Sequence, residues 1–575
     1  MSQRTSQPTS QRTPQHNSRP GTPDHDRVFG WLDDPSDERG MRFRLDDGSW
    51  QRLTYRELAG RTLRAGAALA DAGVRPGDVV PLVLPGGEDF VTQFFGLLAI
   101  GATPSVLPLP LALRGGEGYQ NQLKAITARI HPRHAIADPR YHDVVAENVA
   151  RLGGGTDVLA PQYADRPEEA PRAWGELAVL QFTSGSRGSP RGLRISMANL
   201  ATNLRMIQGW MNPVGYGAVT WLPLYHDMGL VGGLLGALTL QVEHALMRPE
   251  QFIRDTRGWI AEYGRTPYSN MCMPNFGFER VLSAVRPEDL EGLDFSGLSA
   301  VVSGAERIDP AVLARFAALL GPHGFDVRAL MPAYGLAEGT LAVTGVSKHH
   351  VARMVRAGGL ERRLGEKLDV SEVVELSTVP VDEPWTWQVS CGPPLETARV
   401  EILDEDGAPQ PEGVLGEIYV EGPSVADGYA DPAPEDVAKL HDGRLYTGDA
   451  GFLLDGELYV IGRLGDSVKI NGQNVFVEDI ELELVASGAI SRRYATVVAG
   501  ITGGEPKVLL VTERPLGDRL DDALSVIASF TGDAAHAEVR YVKRGTIPLT
   551  SSRKPRRRSL WLSYVAGELK ERNDS

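Results

Sequence analysis

Two textures of apolar residue take turns along this chain. Residues 54–73, TYRELAGRTLRAGAALADAG, carry apolar side chains at helical spacing behind a threonine cap and close on a glycine, which predicts a helix. Residues 79–84 are a short apolar run that predicts a buried strand, and 90–100 predict a second helix. The alternation continues with a helix over 199–210, a strand over 218–222 and a helix over 310–320. Such a succession predicts α/β construction with largely parallel sheets. From residue 398 the texture changes. ARVEIL, GEIYV and ELYVI are short alternating strands separated by Asp/Gly turns, and they predict a smaller β-rich subdomain. After GRLGD at 462–466 come another strand, a helix from Val477 and mixed elements.

The expected layout is a disordered, Ser/Gln/Thr/Pro-rich tail over 1–27, a large N-terminal domain over 28–464 and a hinge at 465–466. A small mobile α+β C-terminal domain follows over 467–562, then a second tail over 563–575. A chain of 575 residues is too long for one core. The fold class expected is therefore α/β, with parallel α/β subdomains plus the β-rich subdomain in the large domain. Residues 94–113 are uncharged over a membrane-spanning length. Pro104, Pro108 and Pro110 break a helix there, so a buried helix end, a turn and a strand are expected. A formal net charge of -15 argues against a nucleic-acid binder. Two cysteines, Cys272 and Cys391, make no disulfide framework. With no secretory signal or transmembrane segment recognised, a cytoplasmic protein is expected.

The stretch LQFTSGSRGSPRGLRI at 180–195 predicts a strand, a small-residue loop and a second strand. Thr183, Ser184, Gly185, Ser186, Arg187 and Gly188 offer backbone N–H groups, hydroxyls and a guanidinium, a set suited to anionic oxygen. No Gly-Lys-Ser/Thr follows, so the loop is not a Walker motif.

FTSGSRGSPRG at 182–192 resembles the phosphate-binding motif of adenylate-forming enzymes: acyl-CoA synthetases, peptide-synthetase adenylation domains and luciferases. YGLAE at 334–338, YTGDAG at 446–451 and GRLGDSVKING at 462–472 resemble three further motifs of that superfamily, in its order. WLPLYHDMGL at 221–230 and YGLAEGTLAVTG at 334–345 resemble fatty acyl-AMP ligases in particular. The long segment between Gly345 and SCGPPL at 390–395 fits an insertion typical of that group.

The resemblance implies ATP-dependent conversion of a fatty acid to acyl-AMP, with acyl transfer to a separate acyl carrier protein. An acyl-CoA synthetase, a degenerate acyl or nucleotide binder, and an amino- or aryl-acid-activating enzyme are the alternatives. It implies that the 183–188 loop holds phosphates and that Glu338 binds Mg²⁺. Tyr334, followed by its nucleotide-site neighbour Gly335, would stack on adenine beside Gly304, Ala305 and Glu306. Asp449 and Arg463 would hold the ribose. It also implies that Lys554, in IPLTSSRKP, reaches into the site during adenylation. His226 would stand where acyl pocket and carboxylate meet, with Met228, Met273 and Phe276 lining the pocket and Asp227 structural. Gly465 would be the hinge residue, and Arg553 and Gly465 depart from the superfamily pattern.

Overall fold

In the computed structural model the described residues are 23–110, 116–150, 155–166, 175–183, 190–213, 215–357, 364–432, 437, 439–470, 473–502, 505–549 and 554–569. The first helix, Pro23–Asp33, begins inside the stretch expected to be tail. Val28, Phe29, Trp31 and Leu32 are buried, which accounts for the early start. Residues 1–22 lie outside the described residues.

The helix expected over 54–73 runs Tyr55–Asp71. Thr54 accepts from the Glu57 N–H, and the Glu57 side chain accepts in return from the backbone N–H of Thr54. The described part of the uncharged run, 94–110, forms, as its prolines require, the end of helix Glu88–Ala99, a turn and the buried strand Thr103–Val106. No described helix is long and apolar enough to cross a membrane.

The sheets are parallel where helices cross between strands. One runs in the order Thr103–Val106, Val79–Val83, His134–Ala137, Asp157–Leu159, all parallel. A second places Gly40–Arg44 antiparallel to Trp50–Thr54 and parallel to Glu243–Leu246, with Tyr216–Thr220 beyond. A third joins Asn270–Met273, Ala300–Ser303 and Leu330–Gly335 in parallel, then Ala342–Gly345 antiparallel. The C-terminal ends of these last parallel strands supply loops to the site, as open α/β sheets commonly do. Downstream, Arg399–Leu403, Gly416–Glu421, Arg444–Leu454 and Glu457–Arg463 form an antiparallel sheet, the β-rich part. Between these regions Val370–Glu375, Arg353–Ala357 and Trp387–Val389 make a separate three-stranded antiparallel sheet in the long segment flagged from sequence.

One large apolar core runs from Val28 to Leu458. Another is built by Val468–Phe530, including Val497, Val508 and Leu510. The alternate residues Val498, Leu509 and Val511 face the other way, onto Leu560 and Trp561. Period-two alternation thus buries both faces of the hairpin Ala495–Thr502 and Glu505–Thr512. Phe278 is fully buried and meets Phe316 edge-on, with ring centroids 5.0 Å apart. Phe278→Ala should destabilise the fold by about 3–5 kcal/mol, read as a lower denaturation midpoint.

Candidate active site

Strands Leu177–Thr183 and Arg191–Ser196 pair antiparallel, with Thr183 opposite Arg191. The loop they bracket carries Ser184, Gly185, Ser186, Arg187 and Gly188, and it lies outside the described residues. Its exit is visible. The Arg191 guanidinium sits 4.4 Å from the centre of the Tyr429 ring. The Tyr429 hydroxyl in turn donates to Glu338 Oε1 at 2.8 Å. Tyr429 therefore ties the end of the candidate phosphate loop to the candidate metal carboxylate. No motif pointed to it, because its partners are 238 and 91 positions away in sequence.

Glu338 sits in the short 3-10 turn Ala337–Gly339, just after strand Leu330–Gly335. Gly335 is required there, since a Cβ would run into the Leu341 carbonyl. The fully buried Asn203 fixes the turn from beneath: its Nδ2 donates to Ala342 O at 2.9 Å and Gly339 O at 3.3 Å, and its Oδ1 accepts from Ala342 N at 3.1 Å. Among the described residues no group of three or more His, Cys, Asp or Glu side chains could cage a metal. One carboxylate suits Mg²⁺ nonetheless, because Mg²⁺ keeps waters and substrate phosphate oxygens as ligands.

Asp449 is buried, in strand Arg444–Leu454. Its Oδ1 pairs with Arg463 Nε at 3.0 Å, and its Oδ2 accepts from the Tyr334 hydroxyl at 2.7 Å. Burial and the adjacent Asp449 charge push the Tyr334 phenol far above its usual range. Tyr334 was expected to stack on adenine; its hydroxyl here orients the ribose-binding candidate. Each carboxylate oxygen keeps further lone pairs for a sugar hydroxyl.

Lys554 arrives from the far end of the chain. Its ammonium donates to the Ala305 carbonyl, and Ala305 adopts a left-handed φ of 71° in the Gly304-Ala305-Glu306 turn. Burial holds the ammonium below the ordinary lysine range. Glu306, Asp227 and Asp449 pull it back up, while Arg463 opposes them. Lys554 also bears on His226, whose imidazole is pushed down to about 3, first by burial and then by that cation. Asp227 follows, capping the wide helix Met228–Leu235 through a 2.8 Å bond from Met228 N. Burial raises its carboxyl to about 6, and Glu338 adds to the rise. Expected to be structural, Asp227 both caps a helix and faces the lysine.

The candidate acyl-pocket residues differ in exposure. Met228 is buried at the head of the wide helix. Phe276 is 38% exposed, its ring 6.4 Å from that of the buried Trp221. Met273 is fully buried and packs where a Cβ on Gly277 would stand. On strand Asn270–Met273 the half-buried side chain is Cys272. Burial and then Asp227 push its thiol up to about 12, so it faces the site as a neutral, apolar group. Strand alternation alone could not tell which parity faces the pocket. Gly465 sits in the short turn Leu464–Asp466, with open space around it. Arg553 lies outside the described residues.

Residues 33–430 match the AMP-binding enzyme family. The chain belongs to that family. This AMP-binding enzyme is 32% identical to a putative acyl-CoA synthetase of Caulobacter vibrioides, over 90% of its own length and 91% of the relative's. It is 30% identical to the medium-chain-fatty-acid–[acyl-carrier-protein] ligase JamA of Moorena producens, over 90% of each chain. A solved structure from work on fatty acyl-adenylate ligases of E. coli and L. pneumophila superposes with a TM-score of 0.81 at 28% identity, covering 95% of this chain and 97% of that one. The enzyme is thus an adenylate-forming, ATP-using activator of an acid, with fatty acyl-AMP ligases and acyl-CoA synthetases among its relatives.

Asn203→Ala strips partners from buried backbone groups of the Glu338 turn. It should cost about 2–3 kcal/mol in a denaturation experiment. Amide exchange over 339–342 should speed up in the same variant.

Proposed function

We propose that the enzyme activates a fatty acid as acyl-AMP, releases pyrophosphate, and passes the acyl group to a separate acyl carrier protein. The observation that carries this reading is the convergence on Lys554 of His226, Asp227, Glu306 and Asp449, each within electrostatic reach of its ammonium.

The chemistry sets one demand above others. A carboxylate must approach the α-phosphate of ATP, so two anions meet, and the barrier is mainly electrostatic. The 183–188 loop holds the β- and γ-phosphates, Asp449 and Arg463 hold the ribose, and Lys554 spans the carboxylate and the α-phosphate. When bound at Glu338, Mg²⁺ neutralises charge on the phosphate oxygens. One carboxylate oxygen bonds to the α-phosphorus as the bond to the β-phosphate oxygen breaks, and pyrophosphate leaves. His226 stays neutral, so it orients the acid without competing with Lys554 for its charge. The acceptor thiol then attacks the acyl carbonyl, the carbonyl carbon–oxygen bond breaks, and AMP departs.

Transfer to a carrier protein is favoured over coenzyme A by the sheet at 353–389. Its short turn Pro384–Thr386 packs against helix Val477–Ala486, and Val355 and Ala357 share a buried cluster with Phe476. We take the residues from 467 as a mobile cap that turns about Gly465 between the two half-reactions. Contacts from the insertion must break for that turn, which retains the adenylate until a large docked partner contributes binding energy. The name of JamA supports the same choice; that of the Caulobacter relative supports coenzyme A.

The test is a product assay with ATP, Mg²⁺ and a panel of fatty acids, with and without coenzyme A or a phosphopantetheinylated carrier protein, read by mass spectrometry. Acyl-AMP in every arm, with acyl transfer only to the carrier, is the expected result; acyl-CoA would replace the proposal with a synthetase. Lys554→Ala should lower acyl-AMP formation by about 10²–10³-fold while ATP binding, measured by calorimetry, survives. Lys554 acts protonated and burial lowers its pKa, so the rate should fall on the alkaline side below the ordinary lysine range. Lys554→Arg should move that limb upward. His226 should produce no limb across about pH 5–8, since its imidazole is already neutral there.

A further inference from the structure

We propose that residues 305–309 form the seat that sets the register of the Lys554-bearing cap, with Arg307 and Asp479 as its positioning pair. The inference rests on the adenylation reading above. Three alternate residues of this one segment reach three different elements of the cap. The Ala305 carbonyl accepts from Lys554, and Arg307 forms an ion pair with Asp479 in helix Val477–Ala486. Asp309 Oδ2 meets Arg492 Nη2 at 3.4 Å, while Arg492 Nη1 also pairs with Glu279 at 2.6 Å.

The segment is held rigid from the other side. Asn275 donates through Nδ2 to the Arg307 carbonyl at 2.6 Å and accepts through Oδ1 from the Asp309 N–H at 3.3 Å. Asp309 Oδ1 caps helix Pro310–Leu320 through bonds from Ala311 N and Val312 N. Arg307 Nη2 also donates to the Trp387 carbonyl at 3.4 Å, so the guanidinium stands where seat, insertion sheet and cap meet.

The pair differs from the surface ion pairs of this chain in its depth. Both side chains are 6% exposed. Burying two charges costs much of what their attraction returns, so such a pair is a weak clamp. It is a strict register key, because a slipped cap would leave an unpaired charge in the interface. Gly465 cannot set the register by side-chain contact, since it has none. The chain therefore places the geometric information at the seat and leaves the hinge free.

The test uses full-length enzyme and separates the half-reactions: single-turnover formation of acyl-AMP from ATP and acid, and consumption of chemically supplied acyl-AMP by the acceptor that the wild type uses. Arg307→Asp and Asp479→Arg should each slow the first by tenfold or more and change the second by less than twofold. The double exchange should recover most of the lost rate. Arg492→Glu, at a partly exposed pair, repeats the measurement should a buried variant fail to fold. Amide exchange over 304–309 and 554–556 should rise in these variants with no substrate present, a readout independent of turnover. Equal loss in both half-reactions, no loss in the first, or no recovery in the exchange would overturn the seat. Failure of the wild type to make any acyl-AMP would instead sink the reading on which the seat rests.

Discussion

Everything in this molecule is arranged around the repulsion between a carboxylate and a triphosphate. A cation has to stand between them, in a place dry enough for its charge to count, and dryness itself works against the cation. Burial lowers the proton affinity of Lys554, and Glu306, Asp227 and Asp449 restore part of it. The site is thus a balance of opposite charges held at close range, with Arg463 and Asp449 paired beside the lysine. Lys554 comes from the chain's far end, so in the proposed account the balance exists only when the cap is seated. That dependence couples the chemistry to a conformation.

Motifs made the site legible where function is written in backbone conformation. The Gly335 turn before Glu338 and the Gly304-Ala305-Glu306 turn depend on local residues and stood out in sequence, whereas Thr447, Gly448 and Asp449, expected as a turn, lie within strand Arg444–Leu454. Alternating textures likewise announced the parallel sheets and the β-rich part. What stayed hidden were partnerships between distant residues that have no local signature. Tyr429 beneath Glu338, the Tyr334 hydroxyl on Asp449, and Arg307 against Asp479 each join residues at least 91 positions apart. Which side of strand Asn270–Met273 faces Asp227 stayed hidden for a related reason. Met, Cys and Phe at 271–278 are all apolar, and only the register of strand Asn270–Met273 decides that Cys272 rather than Met273 faces Asp227.

Of the two departures from the superfamily pattern, the glycine at 465 has a counterpart elsewhere in the chain. A glycine hinge loses the side-chain contacts that would favour one closed state, yet buried interface charges supply an alternative source of register. The insertion sheet adds contact with the same helix that bears Asp479. In the proposed account the interface specifies adenylation geometry and the hinge is left to move. On the proposed reading such an enzyme would hold its activated acid until an acceptor disturbs that interface, the behaviour that transfer to a carrier protein needs.

The most direct test of the central claim follows the carboxylate oxygen. A fatty acid carrying heavy oxygen in its carboxylate is taken through one turnover to the acceptor, and the released AMP and pyrophosphate are analysed by mass spectrometry. The account predicts one heavy oxygen in AMP and none in pyrophosphate, because the carboxylate attacks the α-phosphorus and the acyl carbon–oxygen bond later breaks. Unlabelled AMP, or label in pyrophosphate, would contradict it.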